Sequence, residues 1–224
     1  VLCAVATPLA AQQAQDNRPG VAVLPFAPGM LPGADRDTRE ALSIGVQQIL
    51  ITELSSNTNL RVVDRTIVRE LLAEQDLGAS GRVDAEPTAR IGRMVGAKYV
   101  VMGGYNEIAD VFYLDGRIVD TETSEVLRSD RVSDKRTDLY RIIITFGNRL
   151  TDGVRLPALT REQRQQQEAR ATQAPREAVV LYSMAQRLAD QGRTDEARDL
   201  YRQITDRFPS YTHAREALRQ MGGS

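Results

Sequence analysis

The sequence predicts an α/β protein: a mixed β-sheet of about five strands with flanking helices, followed by a small all-α helical hairpin. Three short apolar runs, residues 21–26, 60–63 and 97–104, are rich in β-branched side chains and are separated by helical patterns. Two further runs, residues 112–118 and 126–132, alternate apolar and polar side chains, which is typical of antiparallel strands with one solvated face. The order of these runs indicates a sheet whose first strands are joined by crossover helices.

Composition predicts a soluble protein with an ordinary core. The chain has 224 residues, of which 42% are hydrophobic, and a net charge of -1. A nearly neutral chain produces no long-range field that attracts nucleic acid. Trp is absent and aromatic residues make up only 5%, so base stacking is also disfavoured. We therefore expect no nucleic-acid partner.

Residues 1–18 form a signal-like segment and tail. The first eleven residues are small and apolar and then give way to a polar stretch, which resembles the end of an export signal cleaved near Ala10 or Ala11. The apolar run is too short to span a membrane. The alternative is a buried or frayed N-terminal segment of a cytosolic protein.

The one cysteine, Cys3, lies within this segment and would be lost on cleavage. Leu2 precedes it, whereas a bacterial lipoprotein signal requires a small residue there, so lipidation of Cys3 is disfavoured. A mature chain without disulfides remains compatible with a core of this size.

The first crossover helix is predicted to begin with a capping box formed by Asp37 and Glu40. It carries one apolar stripe that should face the sheet, formed by Leu42, Val46, Ile49, Leu50 and Leu54. A second helix follows Asp64 as N-cap, carries Ile67, Val68, Leu71 and Leu72, and is predicted to end at Leu77–Gly78. Pro87 lies in the first turn of a third helix, which Gly96 ends.

Residues 99–102 are apolar at every position, so we expect this strand at the centre of the sheet. Gly103 and Gly104 permit a bulge or a close backbone approach. Residues 121–125 are the predicted turn between the two alternating strands. A last helix beginning near Thr137 closes this domain, predicted to span residues 19–154.

Residues 155–177 are polar and predict a linker or an exposed helix. Residues 178–224 resemble one tetratricopeptide unit followed by a capping helix. Six positions carry this resemblance and are the predicted protein-interaction residues: Leu181, Ala185, Gly192, Ala197, Tyr201 and Pro209. Because a single unit cannot bury its apolar face, it must pack on the main domain, on the linker helix, or on another copy or partner.

The motifs at residues 21–26, 60–65, 71–75, 78–81 and 91–99, taken in this order, resemble the CsgG family. Its members are curli assembly and secretion proteins of the bacterial envelope, related in fold to the amino-terminal domain of TolB. The resemblance covers residues 19–154. It implies an exported domain that oligomerises and contacts other envelope proteins.

One departure from the family concerns the hairpins that form the secretion pore. The corresponding intervals are only residues 105–110 and 133–136. A strand that crosses a membrane needs about 9–11 residues and a hairpin needs two such strands. We therefore expect the scaffold domain without the pore-forming β-hairpins.

Potential sites in the sequence have simpler structural explanations. The sole histidine, His213, is predicted to be a surface residue of the capping helix rather than a metal ligand. Asp120, Glu122 and Glu125 are better explained as a solvated turn than as a cation site. Arg65 is expected in a surface ion pair.

The glycine pairs Gly78–Gly81 and Gly103–Gly104 lack the context of a phosphate cradle, and no serine lies in a nucleophile elbow. The sequence therefore predicts no catalytic residue, metal or cofactor. Three hypotheses remain. The leading one is a non-enzymatic periplasmic scaffold, peripheral to the outer membrane, with other envelope proteins or further copies of itself as partners and no small-molecule substrate. The second is a soluble TolB-like or tetratricopeptide interaction or regulatory module outside any secretion assembly, and the third is a hydrolase or nucleotide-binding enzyme.

Overall fold

The computed structural model describes residues 16–74, 84–152, 154 and 156–222. The predicted export signal and the predicted helix end at Leu77–Gly78 lie outside these residues. The strands are β1 Gly20–Val23, β2 Ala27–Pro28, β3 Arg61–Val62, β4 Tyr99–Ile108, β5 Val111–Asp120 and β6 Val126–Lys135. The helices are α1 Arg36–Ser55, α2 Arg65–Glu74, α3 Ala85–Met94, α4 Leu139–Asp152, α5 Arg161–Thr172, α6 Arg176–Asp190, α7 Thr194–Arg207 and α8 Thr212–Gln220.

The strands form one mixed sheet in the order β3, β1, β4, β5, β6, with β2 also paired to β4. The strands β1, β2 and β3 pair in parallel fashion, whereas β4, β5 and β6 form an antiparallel meander. The predicted fold class, a mixed sheet with flanking helices and a helical C-terminal region, is confirmed. The strand β4 lies at the centre, as its continuous apolar run predicts, because neighbours on both sides and helices on both faces cover it.

Helices cover both faces of the sheet. The side chains of Val21, Val101 and Ile118 belong to a large core that also includes apolar residues of α1, α4 and the C-terminal helices. Those of Ala22 and Val100 belong to a smaller core beneath α2 and α3. The alternation of side chains along each strand assigns them to these two cores.

The helix α1 begins two residues before the predicted position, so the prediction of a capping box formed by Asp37 and Glu40 was wrong. Asp35 is the N-cap, and its carboxylate accepts a 2.7 Å hydrogen bond from the Thr38 N–H. Glu40 instead forms ion pairs with Arg36 at 2.6 Å and Arg187 at 2.9 Å. The predicted apolar stripe of α1 is buried as expected.

The helix α2 follows Asp64, whose carboxylate accepts a 2.7 Å hydrogen bond from the Thr66 N–H, as its predicted capping role requires. Of its apolar residues, Val68 is fully buried, whereas Ile67 is 51% exposed. Only a narrow side of α2 therefore contributes to the smaller core.

Glycines in the middle of β4 and β5 allow aromatic rings to lie against the sheet. A Cβ at Gly103 would overlap the Asp115 carbonyl, and one at Gly116 would lie 2.9 Å from the ring of Phe146. The rings of Phe26 and Phe146 meet edge to face at this place, with centroids 5.7 Å apart. The sequence allowed either a bulge or a close backbone approach at Gly103, and the structure has the close approach. The irregular strand register lies instead at Ile118/Val119.

The interval of residues 105–110 contains the end of β4 and a two-residue turn. Ala109 and Asp110 have positive φ angles of 49° and 62°, as a two-residue hairpin turn with the type I′ conformation requires. The interval of residues 133–136 contains the end of β6 and the first residue of a 3₁₀ turn at Arg136–Asp138. Neither interval contains an additional hairpin.

Candidate functional site: the contact between the sheet domain and the C-terminal helices

The six predicted interaction positions lie in the helical hairpin formed by α6 and α7. Ala185 and Ala197 are fully buried where helices pack, and Tyr201 is buried with its ring centroid 5.8 Å from that of Tyr182. Gly192 adopts a φ angle of 75° in the turn between the two helices. Leu181 is half-buried in α6, and Pro209 lies between α7 and α8. A role of these six residues in partner binding stays a prediction.

The hairpin packs on the sheet domain through α1, one of the arrangements that the sequence left open. Gly45 of α1 lies against Ser183 of α6 so closely that a Cβ at Gly45 would overlap the Ser183 hydroxyl. The apolar residues of α6, α7 and α8 belong to the same core cluster as those of α1 and α4. The apolar face of the hairpin is therefore covered within the same chain.

A buried carboxylate, Glu53 of α1, lies where α1, α4, α5 and α8 meet. Its side chain is 4% exposed and accepts two hydrogen bonds from Arg170, at 3.0 and 2.6 Å. The Tyr140 hydroxyl donates to the same carboxylate. Because that hydroxyl proton points at Glu53, the Tyr140 oxygen accepts from Nε2 of His213 at 2.5 Å. A bidentate arginine and a phenol thus compensate the desolvation of one charge.

The prediction that His213 is a surface residue was wrong. The residue is 7% exposed and lies among the rings of Tyr140, Tyr182 and Tyr211, with centroids between 5.2 and 5.8 Å away. Burial lowers the pKa of His213 to about 4, although the nearby Glu53 charge acts in the opposite direction. His213 and the buried alanines of α8 share one face of the helix, a pattern that could have indicated burial.

A second buried carboxylate, Glu107 at the end of β4, is held in a similar way. Its side chain is 2% exposed and pairs with Arg136 at 3.1 Å and with Arg176 of α6 at 2.8 Å. Burial also lowers the pKa of Arg176. This cluster connects the hairpin turn of the sheet to the beginning of α6.

Arg65 is not the predicted surface ion pair. Its side chain is only 11% exposed and pairs with Asp190 at the end of α6, which also binds Arg69 at 2.5 Å. Arg65 further donates to Gln186 at 2.8 Å. The sequence contained no indication of this partner because the two residues lie far apart along the chain.

The second face of the sheet bears an open groove of about 1150 Å³ beside α3. Its lining includes Gly29, Gly104, Asn106, Asp115, Arg117 and Arg131. The Asp115 carboxylate lies 3.8 Å from Arg131, so the groove presents both charge signs and exposed strand backbone. This mixed surface suits a polypeptide better than a phosphate or a metal ion.

The predicted turn at residues 121–125 is present. The Asp120 carboxylate accepts from the N–H groups of Glu122 and Thr123 at 2.8 and 3.1 Å, which closes the turn internally. Among the residues that the structure describes, no group of three or more His, Cys, Asp or Glu side chains could hold a metal ion.

Residues 9–107 match the family model for the curli production assembly/transport component CsgG. This match confirms the resemblance to the CsgG family. It includes β1, β2 and β3, the helices α1, α2 and α3, and most of β4, and it ends before β5. The tetratricopeptide resemblance of residues 178–224 stays a prediction.

Several solved structures resemble the CsgG-like chain. The C-terminal domain of LpoB from Escherichia coli is 19% identical, with 53% of this chain and 83% of that chain covered and a TM-score of 0.39. TolB from Acinetobacter baumannii is 19% identical over 62% of this chain and 27% of that chain, with a TM-score of 0.38. The PelC dodecamer from Paraburkholderia phytofirmans is 12% identical, with 63% of this chain and 90% of that chain covered and a TM-score of 0.36.

No curated protein matches the CsgG-like chain in sequence. Within the part of the chain that the structure describes, no helix is both long enough and apolar enough to cross a membrane.

Proposed function

We propose that this chain is a non-enzymatic protein of the bacterial cell envelope that acts as a scaffold for protein–protein contacts. The observation that carries the proposal is the CsgG family match over residues 9–107. In this proposal the protein works on the periplasmic side of the outer membrane, as a peripheral component. Other envelope proteins or further copies of the chain are its partners.

The buried charges support a structural rather than a catalytic role. Glu53 and Glu107 are each neutralised by arginines, and both are closed off by packed helices or strand ends. A general acid or base must reach a substrate atom within hydrogen-bond distance. These carboxylates instead hold the C-terminal helices on the sheet domain, which creates one rigid surface from two parts of the sequence.

The groove on the second face of the sheet is the partner surface in this proposal. Its backbone-rich floor and its mixed charges, including Asp115 and Arg131, can recognise an extended or loop segment of another protein. The buried residues Ala185, Ala197 and Tyr201 would then act indirectly, by fixing the hairpin that supports the opposite face.

Fractionation combined with site-specific crosslinking tests the proposal. The protein is expressed from its complete gene in a Gram-negative host, with a photoreactive amino acid at Arg117 in the groove. The matched control carries it at Asp195, which is exposed on α7. We expect the protein in the periplasmic or outer-membrane fraction, and adducts from residue 117 but not from residue 195.

Retention in the cytosol would contradict the envelope location and favour a regulatory module outside secretion. Equal crosslinking from both positions, or from neither, would contradict the groove as the partner surface. Turnover of a nucleotide or ester by the purified protein would contradict the non-enzymatic role.

A further inference from the structure

The outermost strand on one side of the sheet, β6, presents a long open edge. Nine of its ten residues pair with β5, and it has no backbone hydrogen bond to any other strand among the described residues. Val126 and Leu127 at its beginning are 42% and 40% exposed. An open strand edge of this length is a template for pairing with another strand.

The outward-pointing backbone groups of β6 can be identified from two local contacts. The N–H groups of Arg131 and Lys135 donate to the carboxylates of Asp130 and Asp134, both at 2.8 Å, rather than to β5. Outward N–H groups recur at every second residue of an antiparallel strand, so Ser129 and Ser133 share this orientation. From Ser129 to Lys135 the edge therefore has an outward N–H and C=O at every second residue, with the N–H groups of Arg131 and Lys135 bonded to neighbouring carboxylates.

We propose that β6 pairs with β6 of a second copy of this chain, antiparallel and around a two-fold axis at Ser129. In this arrangement Ser129 lies opposite its own counterpart. Arg128 of each copy lies opposite Asp130 of the other, so two reciprocal ion pairs form across the axis. The pairing goes beyond the proposed scaffold function and does not depend on it.

Charge selects this register over its neighbours. An axis at residue 128, 130 or 131 would place Arg128, Asp130 or Arg131 opposite itself. An axis at residue 132 would place Asp130 opposite Asp134. Like charges directly opposite each other on paired strands are destabilising.

The side chains of β6 are compatible with this pairing. Arg128 and Asp130 are 38% and 16% exposed, and they lie on one face of the strand, 3.2 Å apart. Val132 belongs to the core under α4, whereas the irregular register at Ile118/Val119 places Val126 opposite Val119 on the other face, so the regular part of the proposed pairing is centred on residues 128–130. On pairing, the hydrogen bond from the Arg131 N–H to the Asp130 carboxylate would break, and the same N–H would donate to a backbone carbonyl of the second copy.

Charge reversal tests the register by sedimentation velocity. We expect the wild-type chain to dimerise, and Arg128→Asp or Asp130→Arg alone to weaken self-association at least tenfold. An equimolar mixture of the two variants should restore it, because every cross-strand pair is then complementary. The control Arg202→Asp, on the exposed surface of α7, should leave the dimer unchanged.

Disulfide crosslinking provides a second readout that does not depend on charge. In a Cys3→Ser background, Ser129→Cys should oxidise to a covalent dimer, because directly opposite, hydrogen-bonded residues have Cα atoms about 5.5 Å apart. Ser133→Cys, opposite Glu125, should dimerise without forming a disulfide crosslink. Circular dichroism confirms that each variant is folded.

A wild-type chain that stays monomeric at all concentrations would overturn the proposal and show that the charges of β6 only block its edge. Failure of the mixture to restore the dimer, or equal crosslinking at residues 129 and 133, would also overturn it. Envelope location is independent of these results. Because Ser129, Asp130 and Arg131 also line the groove beside Arg117, the mass of each adduct from residue 117 must distinguish a second copy of the chain from another protein, and this distinction lets the two proposals fail separately.

Discussion

Glu53 is the residue on which the packing of four helices depends. Its charge lies in the core and is compensated by Arg170 and the Tyr140 hydroxyl. Burial, followed by the Glu53 charge, raises the pKa of Tyr140 well above its ordinary value, so the phenol remains a donor at all accessible pH values. Each member of the cluster is thus satisfied only while the others are present.

Replacing the charge should therefore destabilise the whole molecule. We expect Glu53→Gln to lower the free energy of unfolding by about 3 kcal/mol, because the Arg170 guanidinium is left without its counter-charge. Urea denaturation monitored by circular dichroism measures the change. The control Glu162→Gln, at an exposed position of α5, should change the free energy by less than about 0.5 kcal/mol. Equal effects of both variants would contradict the assigned role of Glu53.

His213 should make stability depend on pH. Its pKa is lowered from 6.5 to about 4 by burial, so the unfolded chain binds the proton more readily than the folded chain. The contribution of neutral His213 is present above pH 6.5 and is lost as the pH falls towards 4. Between pH 7 and pH 5 we expect a loss of about 2 kcal/mol.

The measurement is urea denaturation at both pH values for the wild-type chain and for His213→Gln. The variant should be less stable at pH 7, because it loses the ring contacts, but its stability should change much less between the two pH values. An unchanged pH dependence in the variant would assign the effect to other groups.

The sequence could have indicated the burial of these two side chains but not their partners. His213 shares a helix face with the buried alanines of α8, and Glu53 lies one turn after Ile49 on the apolar side of α1. Their burial depends on where α5 and α8 return to the sheet domain, which is set by contacts between residues more than a hundred positions apart. Local pattern carries no information on such contacts, whereas it did predict the turn at residues 121–125.

At the scale of elements, the contact between α1 and α6 depends on a glycine inside a helix. Gly45 is intrinsically unfavourable there by about 1 kcal/mol relative to Ala, yet the Ser183 side chain occupies the space of its missing Cβ. At this position the loss in helix propensity is offset by the close packing of α1 against α6.

The substitution Gly45→Ala should consequently destabilise the protein, against its helix propensity. We expect a loss of about 1–3 kcal/mol from overpacking, measured by thermal denaturation. Because the clash is with Ser183, Gly45→Ala combined with Ser183→Gly should be more stable than the sum of the two single effects. A stabilising effect of Gly45→Ala alone would contradict this packing.

The elements themselves were largely predictable. The apolar runs and their periods correctly predicted the central strand, the antiparallel pair and the apolar stripe of α1, because burial on a sheet imposes these periods on the sequence. The start of α1 was missed by two residues, since Asp35 and Asp37 are both acceptable caps and only the direction of the incoming loop distinguishes them.

At the scale of the whole molecule, the sheet domain and the C-terminal helices share one hydrophobic core. The clusters around Glu53, Glu107 and Asp190 cross the boundary between them. The organisation into a main domain, a linker and a repeat, as predicted from composition, therefore does not imply independent folding. The sequence could not predict whether the two parts fold together, because the apolar face of a single helical hairpin can pack on the same chain, on another copy or on a partner.

We expect one cooperative unfolding transition. Urea denaturation followed by far-ultraviolet circular dichroism and by tyrosine absorbance should give coincident curves, since the sheet and the tyrosine-rich helices unfold together. Asp190→Ala, which leaves Arg65 without its carboxylate, should shift both curves equally. Two separated transitions would show that the helices undock before the sheet unfolds.

The antiparallel meander has a consequence for the order of events after synthesis. The strands β4, β5 and β6 are joined by short turns, so forming their contacts closes small loops at little entropic cost. The pairing of β1 with β4 closes a much longer loop, so it can form only after β4 has been synthesised. The meander can therefore nucleate folding, and the apolar side chains of β1 remain exposed to solvent until this nucleus has formed. A ribosome stalled before β4 would carry a nascent chain that needs a chaperone.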